Sequence, residues 1–205
     1  MTTHMDEDSR RRQVGEALLD VVREQGMDGT TLRQVAATAG VSVGLVQRYF
    51  RTKAELFSFG IEYVYERSEA RLGEVPWDDP GMSAREVIER LAEVSLPLDE
   101  NRDREVRVEL AFIQLSLNNP ELAKVHDRYA AEVIEQLRAI LESARASGEL
   151  AADTDIPTTA AEMVAVLSGL QLNGVANTHQ GTEVMRAVIS QYLDRLFPAH
   201  SGDER

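Results

Sequence analysis

Apolar residues recur at three and four positions along almost the whole chain, and alternating apolar runs bounded by turn residues are absent. That pattern predicts helices throughout and an all-α fold. The first helix is expected over about 10–25, with Val14, Ala17, Leu18 and Val21 on one face and Gly26 placed to stop it. Thr31 can cap the next helix while Gln34, three residues on, reaches back as in a capping box. Leu32, Val35, Ala36 and Ala39 follow at helical spacing, and Gly40 ends this short helix. Ser42 can then cap a third over 43–50, equally short. A fourth is expected over 53–71, burying Leu56, Phe57, Ile61 and Val64. Two prolines and two glycines mark 73–81 as loop. Five more helices are expected at about 83–96, 102–118, 121–147, 157–177 and 182–197, giving about nine. Pro120 and Pro157 suit first-turn positions, and Gly148 suits a stop.

Composition narrows what such a helical chain can do. With 205 residues, 43% hydrophobic and 28% charged, it has the makeup of an ordinary globular protein. Zero cysteines exclude disulfides, thiolate metal sites and cysteine nucleophiles, and suit a reducing cytoplasm. The longest apolar-rich stretch, 163–172, falls far short of the ~20 residues that span a bilayer, and the polar start is no signal peptide. The expectation is a cytoplasmic protein with no membrane partner. His4, His126, His179 and His200 are far apart, so no metal site is expected. No nucleophile elbow, phosphate-binding glycine loop or paired-carboxylate motif is present, so neither a catalytic site nor a cofactor is expected. The mixed-sign run Asp99-Glu100-Asn101-Arg102-Asp103-Arg104-Glu105 reads as a solvated helix face.

The net charge of −13 looks hostile to a polyanionic partner. Its distribution is not uniform: residues 1–8 carry −3, residues 9–57 carry +3 and residues 58–205 carry −13. The sign reverses over the two short helices joined by Ala39-Gly40-Val41-Ser42, a turn of the length and glycine content that a helix-turn-helix needs. Such units bind DNA, and they also serve plain helix packing. If Val46 and Phe50 are buried, then Val43, Gly44, Gln47 and Arg48 project from the opposite side. They offer a methyl-sized contact, bare backbone, an amide and a guanidinium, groups suited to base edges and phosphates in a major groove. Arg33, Tyr49 and Lys53 add phosphate-reaching groups around them. A helical interaction protein and a small helical enzyme remain the rival classes.

The segment Thr31-Leu32-Arg33-Gln34-Val35-Ala36, then Ala39-Gly40-Val41-Ser42, Gly44, Val46, Tyr49-Phe50, Lys53 and Leu56 resembles the TetR family of transcriptional regulators. The resemblance covers about 9–69, with the helix-turn-helix at about 32–51, and implies a three-helix DNA-binding domain followed by a larger effector-binding and dimerisation domain over 70–205. It implies a homodimeric repressor that binds a palindromic operator in double-stranded DNA and is released by an unidentified small-molecule effector. The sign of regulation, repression or activation, stays open. On this resemblance Arg33, Val43, Gly44 and Leu45 face the groove, and Thr31, Tyr49 and Lys53 hold phosphates, beside Ser42, Gln47 and Arg48. Gln47 departs from the family's usual tyrosine and can meet a phosphate or an adenine. Met27 stands where an aromatic residue commonly closes the loop.

The C-terminal half resembles the BetI-like branch, through Arg104, Arg107, Glu109 and Phe112, then Asn119-Pro120-Glu121-Leu122, Gly148-Glu149-Leu150 and Ser168-Gly169-Leu170. Mainly on the family resemblance, the last two helices are expected to pair with a second copy through Met163, Leu167, Leu170, Gly174, Met185, Ile189, Tyr192, Leu193 and Leu196; the alternative is that they simply cover their own domain. A ligand cavity is expected among Phe112, Leu115, Val125, Tyr129, Val133, Leu167 and Gln171, with Trp77, Asn173, Asn177 and His179 as further polar or guarding groups.

Overall fold

The computed structural model describes residues 2–73, 81–176 and 181–197, with side chains from Ser9 onward. Among the described residues there are nine helices and no strand: α1 (Thr2–Gly29), α2 (Leu32–Thr38), α3 (Val43–Tyr49), α4 (Lys53–Leu72), α5 (Ala84–Ser95), α6 (Glu100–Ser116), α7 (Pro120–Ser147), α8 (Ile156–Ala176) and α9 (Thr182–Leu196). Most boundaries fall within a few residues of the periodicity. The exception is α1, which begins eight residues earlier than expected. Residues 2–12 carry no apolar stripe and no glycine or proline, so the sequence gives neither a packing signal for a helix there nor a break to stop one. Gly26 breaks α1 with φ 68, and Thr30 Oγ1 donates to the Gly26 carbonyl at 2.7 Å. At the end of α7, Gly148 takes φ 84 and Leu150 N–H donates to the Ala144 carbonyl, the closing bond of a glycine-stopped helix. Trp77, Asn177, His179 and His200 lie outside the described residues. No described helix is long and apolar enough to cross a membrane.

The chain packs as two units. The first comprises Met1–Ala70 and Asp99–Arg128, so α6 and the start of α7 join the helix-turn-helix rather than the remaining C-terminal helices. Its core is apolar where expected: Val14, Leu18, Val21, Val35, Val46, Leu56, Phe57 and Ile61 are buried. Two glycines let helices cross closely. A Cβ on Gly15 would come within 2.7 Å of the Tyr63 ring, and one on Gly60 within 2.5 Å of Leu18. Around this core runs a network of charges. Glu105, 2% exposed, accepts from Arg67 Nε at 2.5 Å, while Arg67 also pairs with Glu16. Tyr63 donates to Glu16 at 2.8 Å, and Arg104 reaches Asp20 at 2.5 Å and Glu16 at 3.3 Å. Burial, reinforced by the bond to Glu16, raises the Tyr63 phenol above its ordinary value.

This corrects the reading of 99–105 as a solvated face. Asp99 does cap α6 locally, accepting from Arg102 N–H at 2.9 Å. Arg104 and Glu105 instead clasp α6 to α1 and α4. Glu105 shares a face with Val108 and Phe112 at helical spacing, both fully buried, so its carboxylate must find a partner inside.

The second unit comprises Arg71–Leu98 and Tyr129–Arg205. Ser83 opens α5 with a full capping box, its hydroxyl meeting Glu86 N–H while the Glu86 carboxylate meets Ser83 N–H. One apolar cluster fills the unit: Ile88, Ala92, Leu96, Leu137, Leu141, Met163, Leu170, Met185, Ile189 and Leu193 are all buried in it. Several residues expected at a dimer surface lie in this cluster. Met163, Leu170, Met185, Ile189 and Leu193 face the core of their own chain. Tyr192, Leu167 and Leu196 pack partly against the same cluster. Gly174 lets α8 approach its own chain, since a Cβ there would meet Pro97 at 2.6 Å and Met185 at 2.9 Å.

Candidate nucleic-acid interface

The two short helices are fixed mainly by their caps. Thr31 Oγ1 accepts from Gln34 N–H at 3.2 Å to start α2, and Ser42 Oγ accepts from Leu45 N–H at 3.2 Å to start α3. The return half of the expected capping box is absent: the Gln34 carboxamide takes the Thr31 hydroxyl proton at 2.7 Å and donates to Gln25. Between the helices Gly40 holds φ 66, which a residue with a Cβ adopts only under strain, and Val41 N–H donates to the Ala36 carbonyl at 3.0 Å. Gln13 Nε2 donates to the Ala39 carbonyl at 2.6 Å, so α1 anchors the turn from outside. Sequence reasoning missed Gln13 and Gln25. Their partners lie 26 and nine positions away, beyond the reach of any local pattern.

Facing in α3 follows the expectation at its centre and departs from it at the ends, where Phe50 is half-buried instead of buried and Val43 half-buried instead of projecting. Val46 is fully buried, and Gly44, Gln47 and Arg48 are exposed, with Val43, Leu45 and Tyr49 half-buried at the margins. Phe50 packs against Phe59, their ring centroids 4.9 Å apart. A Cβ on Gly44 would meet nothing within 4 Å of the protein. Packing therefore does not require glycine there, although glycine in a helix costs up to about 1 kcal/mol against alanine. What the position provides is bare backbone open to close approach from outside the chain.

Thr31 and Arg33 are exposed at the start of α2, and the Arg48 guanidinium lies over the Tyr49 ring at 5.9 Å. Residues 29–54 contain four bases, Arg33, Arg48, Arg51 and Lys53, and no acid. The surface is cationic in a protein of net charge −13. Lys53 departs from the simplest expectation: its ammonium is half-buried and donates to the Met27 carbonyl, closing the loop where the family's aromatic residue is missing. Arg51 is exposed, with its backbone N–H donating to the Glu55 carboxylate at 2.8 Å to begin α4.

The residues expected to line a ligand cavity are not brought into one cavity within either unit. Phe112, Leu115 and Val125 belong to the first unit, where Phe112 is fully buried; Tyr129, Val133, Leu167 and Gln171 belong to the second, where Val133 is exposed. Gln171 donates to the Ser95 carbonyl at 3.1 Å, which satisfies its buried amide. Two small cavities among the described residues measure about 30 and 10 Å³; the larger lies between α5 and α9, and the smaller between α5, α8 and α9, where Leu167 lines it. Each has room for about one water molecule at most.

Comparison with known proteins agrees with this geometry. The pattern described as bacterial regulatory proteins, tetR family, matches residues 16–58, and that of the BetI-type transcriptional repressor C-terminal domain matches 84–198. The HTH-type transcriptional regulator PksA of Bacillus subtilis (strain 168) is 26% identical over 198 residues, covering 96% of this chain and 94% of PksA. A transcriptional regulator from Rhodococcus sp. Rha1 superposes with TM-score 0.78 at 29% identity, over 91% of this chain and 95% of that one. A regulator from Saccharomonospora viridis solved in complex with choline shares the fold, with TM-score 0.77 at 19% identity over 97% and 100% of the two chains. A capped helix-turn-helix with a bare, basic outer face and a C-terminal half of BetI type together make this chain a member of the TetR family of DNA-binding transcriptional regulators.

Proposed function

We propose that the protein represses transcription from a palindromic operator, which it binds as a homodimer and leaves when a small molecule binds its C-terminal domain. The observation that carries the DNA-binding part is Gly44, exposed on α3 with open space where a side chain would stand, flanked by exposed Gln47 and Arg48. Arg33, Val43 and Leu45 complete the groove-facing set; Thr31, Ser42, Tyr49 and Lys53 flank it with backbone and phosphate contacts. Two copies would set recognition helices about 34–36 Å apart, on successive major grooves.

A revised surface supports the second copy. Ala161, Ala165, Ser168 and Leu172 recur at four, three and four positions along the exposed side of α8, and Val184 and Val188 are exposed on α9. Leu172 is 53% exposed and Val184 47%, so their own chain leaves both apolar side chains uncovered. Effector release then follows from differential affinity of the ligand for the DNA-bound and DNA-free states.

The test is selection of bound duplexes from a random pool, followed by anisotropy titration of the selected sequence and a metabolite screen for release. A palindromic consensus, salt-dependent affinity and relaxed preference in Arg33→Ala support the proposal. Binding without sequence selectivity, or none at all, overturns it in favour of a protein-docking role for the same helices. Sedimentation of Leu172→Glu tests the dimer: a folded monomer with weakened operator binding is expected, and an unchanged dimer removes this face from the proposal.

A further inference from the structure

Among the described residues, the surface outside the recognition helices holds a run of three bases, Arg10-Arg11-Arg12, all exposed on α1 and all ahead of residue 16, where the match to the tetR pattern begins. We propose that this triplet is a second DNA-contacting site, a strip that grips phosphates flanking the bases read by α3. The inference rests on the DNA-binding reading above and adds to it a contact that the helix-turn-helix does not supply.

Three observations place the strip beside the recognition surface. Gln13, on the turn of helix that follows the arginines, donates to the Ala39 carbonyl inside the turn between α2 and α3. The Arg11 guanidinium lies over the Phe59 ring at 5.3 Å, and that ring packs 4.9 Å from Phe50, the residue that ends α3. Arg11 is thus within about 10 Å of the Phe50 ring. From Phe50 the series continues through Tyr49, 6.2 Å away, to Arg48 over its ring. An unbroken run of rings and guanidinium groups therefore joins the start of α1 to the end of the recognition helix.

Chemistry favours phosphate over base edges for this strip. Three adjacent arginines on a helix point in directions about 100° apart, so no more than two of them face one duplex, where long side chains can reach neighbouring phosphates but do not present the fixed donor pattern that one base pair demands. Stacking on Phe59 holds Arg11 in place while leaving its N–H groups to donate. Asp6, Glu7 and Asp8 precede the triplet in the sequence and balance its formal charge, so the proposal depends on where the guanidinium groups stand and not on net attraction.

The experiment compares the full-length wild type with Arg10→Gln/Arg11→Gln/Arg12→Gln on the selected operator and on an unrelated duplex, from 50 to 200 mM salt. Losing two phosphate contacts should lower the salt slope by about two, so the fall in affinity across that range should shrink about tenfold. Both duplexes should weaken by the same factor, footprint protection should be lost at the operator flanks, and the all-lysine variant should keep the wild-type slope. An unchanged slope in the glutamine variant overturns the proposal. So does weakening on the operator alone, which would mean that the arginines act through α3, or a lysine variant as impaired as the glutamine one, which would make the Arg11–Phe59 stack purely structural. A wild type that binds neither duplex overturns the DNA-binding reading itself, and is seen before any variant is compared.

Discussion

The two packing units hold their helices by different means. In the second, apolar mass does most of it: buried residues from α5, α7, α8 and α9 form one continuous cluster, and the ion pairs sit outside it. In the first, the apolar core is supplemented by two glycine crossings and by a clasp of acids and arginines that ties α1, α4 and α6. The difference teaches what each unit must specify. Burial of apolar area tolerates small shifts in helix position, because it is not directional. Bidentate and hydrogen-bonded charges do not, and a unit that presents a reading head needs its helices in one place.

Substitutions can break this contrast. The largest effect is expected in the second unit, where Leu193→Ala removes a fully buried side chain and should cost about 2–5 kcal/mol in chemical denaturation. A cost under 1 kcal/mol would mean that the cluster collapses around the gap and is looser than it looks. Gly15→Ala pushes a methyl into three ring atoms of Tyr63 and should cost about 1–3 kcal/mol, less whatever alanine returns in helix propensity. If it stabilises instead, the crossing of α1 and α4 is not tight. Glu105→Gln strips charge from the clasp and should cost about 1–3 kcal/mol. That loss should persist at 1 M salt, because Glu105 is buried, whereas Arg138→Ala at the surface pair with Glu135 should change stability by less than about 0.5 kcal/mol. Equal effects at the two sites would erase the distinction between clasp and surface pair. The sharpest is Gly44→Ala. It should raise stability by up to about 1 kcal/mol while weakening operator binding, so that stability and function move in opposite directions.

Much of this was legible in the chain, because helical periodicity and capping residues are local signals. Thr31, Ser42 and Gly148 each did in the structure what their side chains, or the lack of one, suggested. Val46 went in, and Gly44, Gln47 and Arg48 stayed out. Legibility failed where partners are distant. Glu105 looked solvated because its immediate neighbours are charged, and only its register with Val108 and Phe112 hinted otherwise. The dimer surface was less legible for a related reason. In a helix apolar almost all round, hydrophobicity alone cannot say which residues serve the chain's own core, and Met163 and Leu170 were needed there while Ala165 and Leu172 were not.

Lys53 shows a consequence of a different kind. Its ammonium already donates to the Met27 carbonyl and lies 5.8 Å from the Phe57 ring centroid, so its long side chain is held before any partner arrives. A lysine ordered only on binding would give up as much as about 2 kcal/mol of rotamer entropy at that moment. Here most of that entropy is already lost on folding. A phosphate arriving at Lys53 meets a cation that is standing still, and has only to be a better acceptor than the carbonyl it joins or displaces.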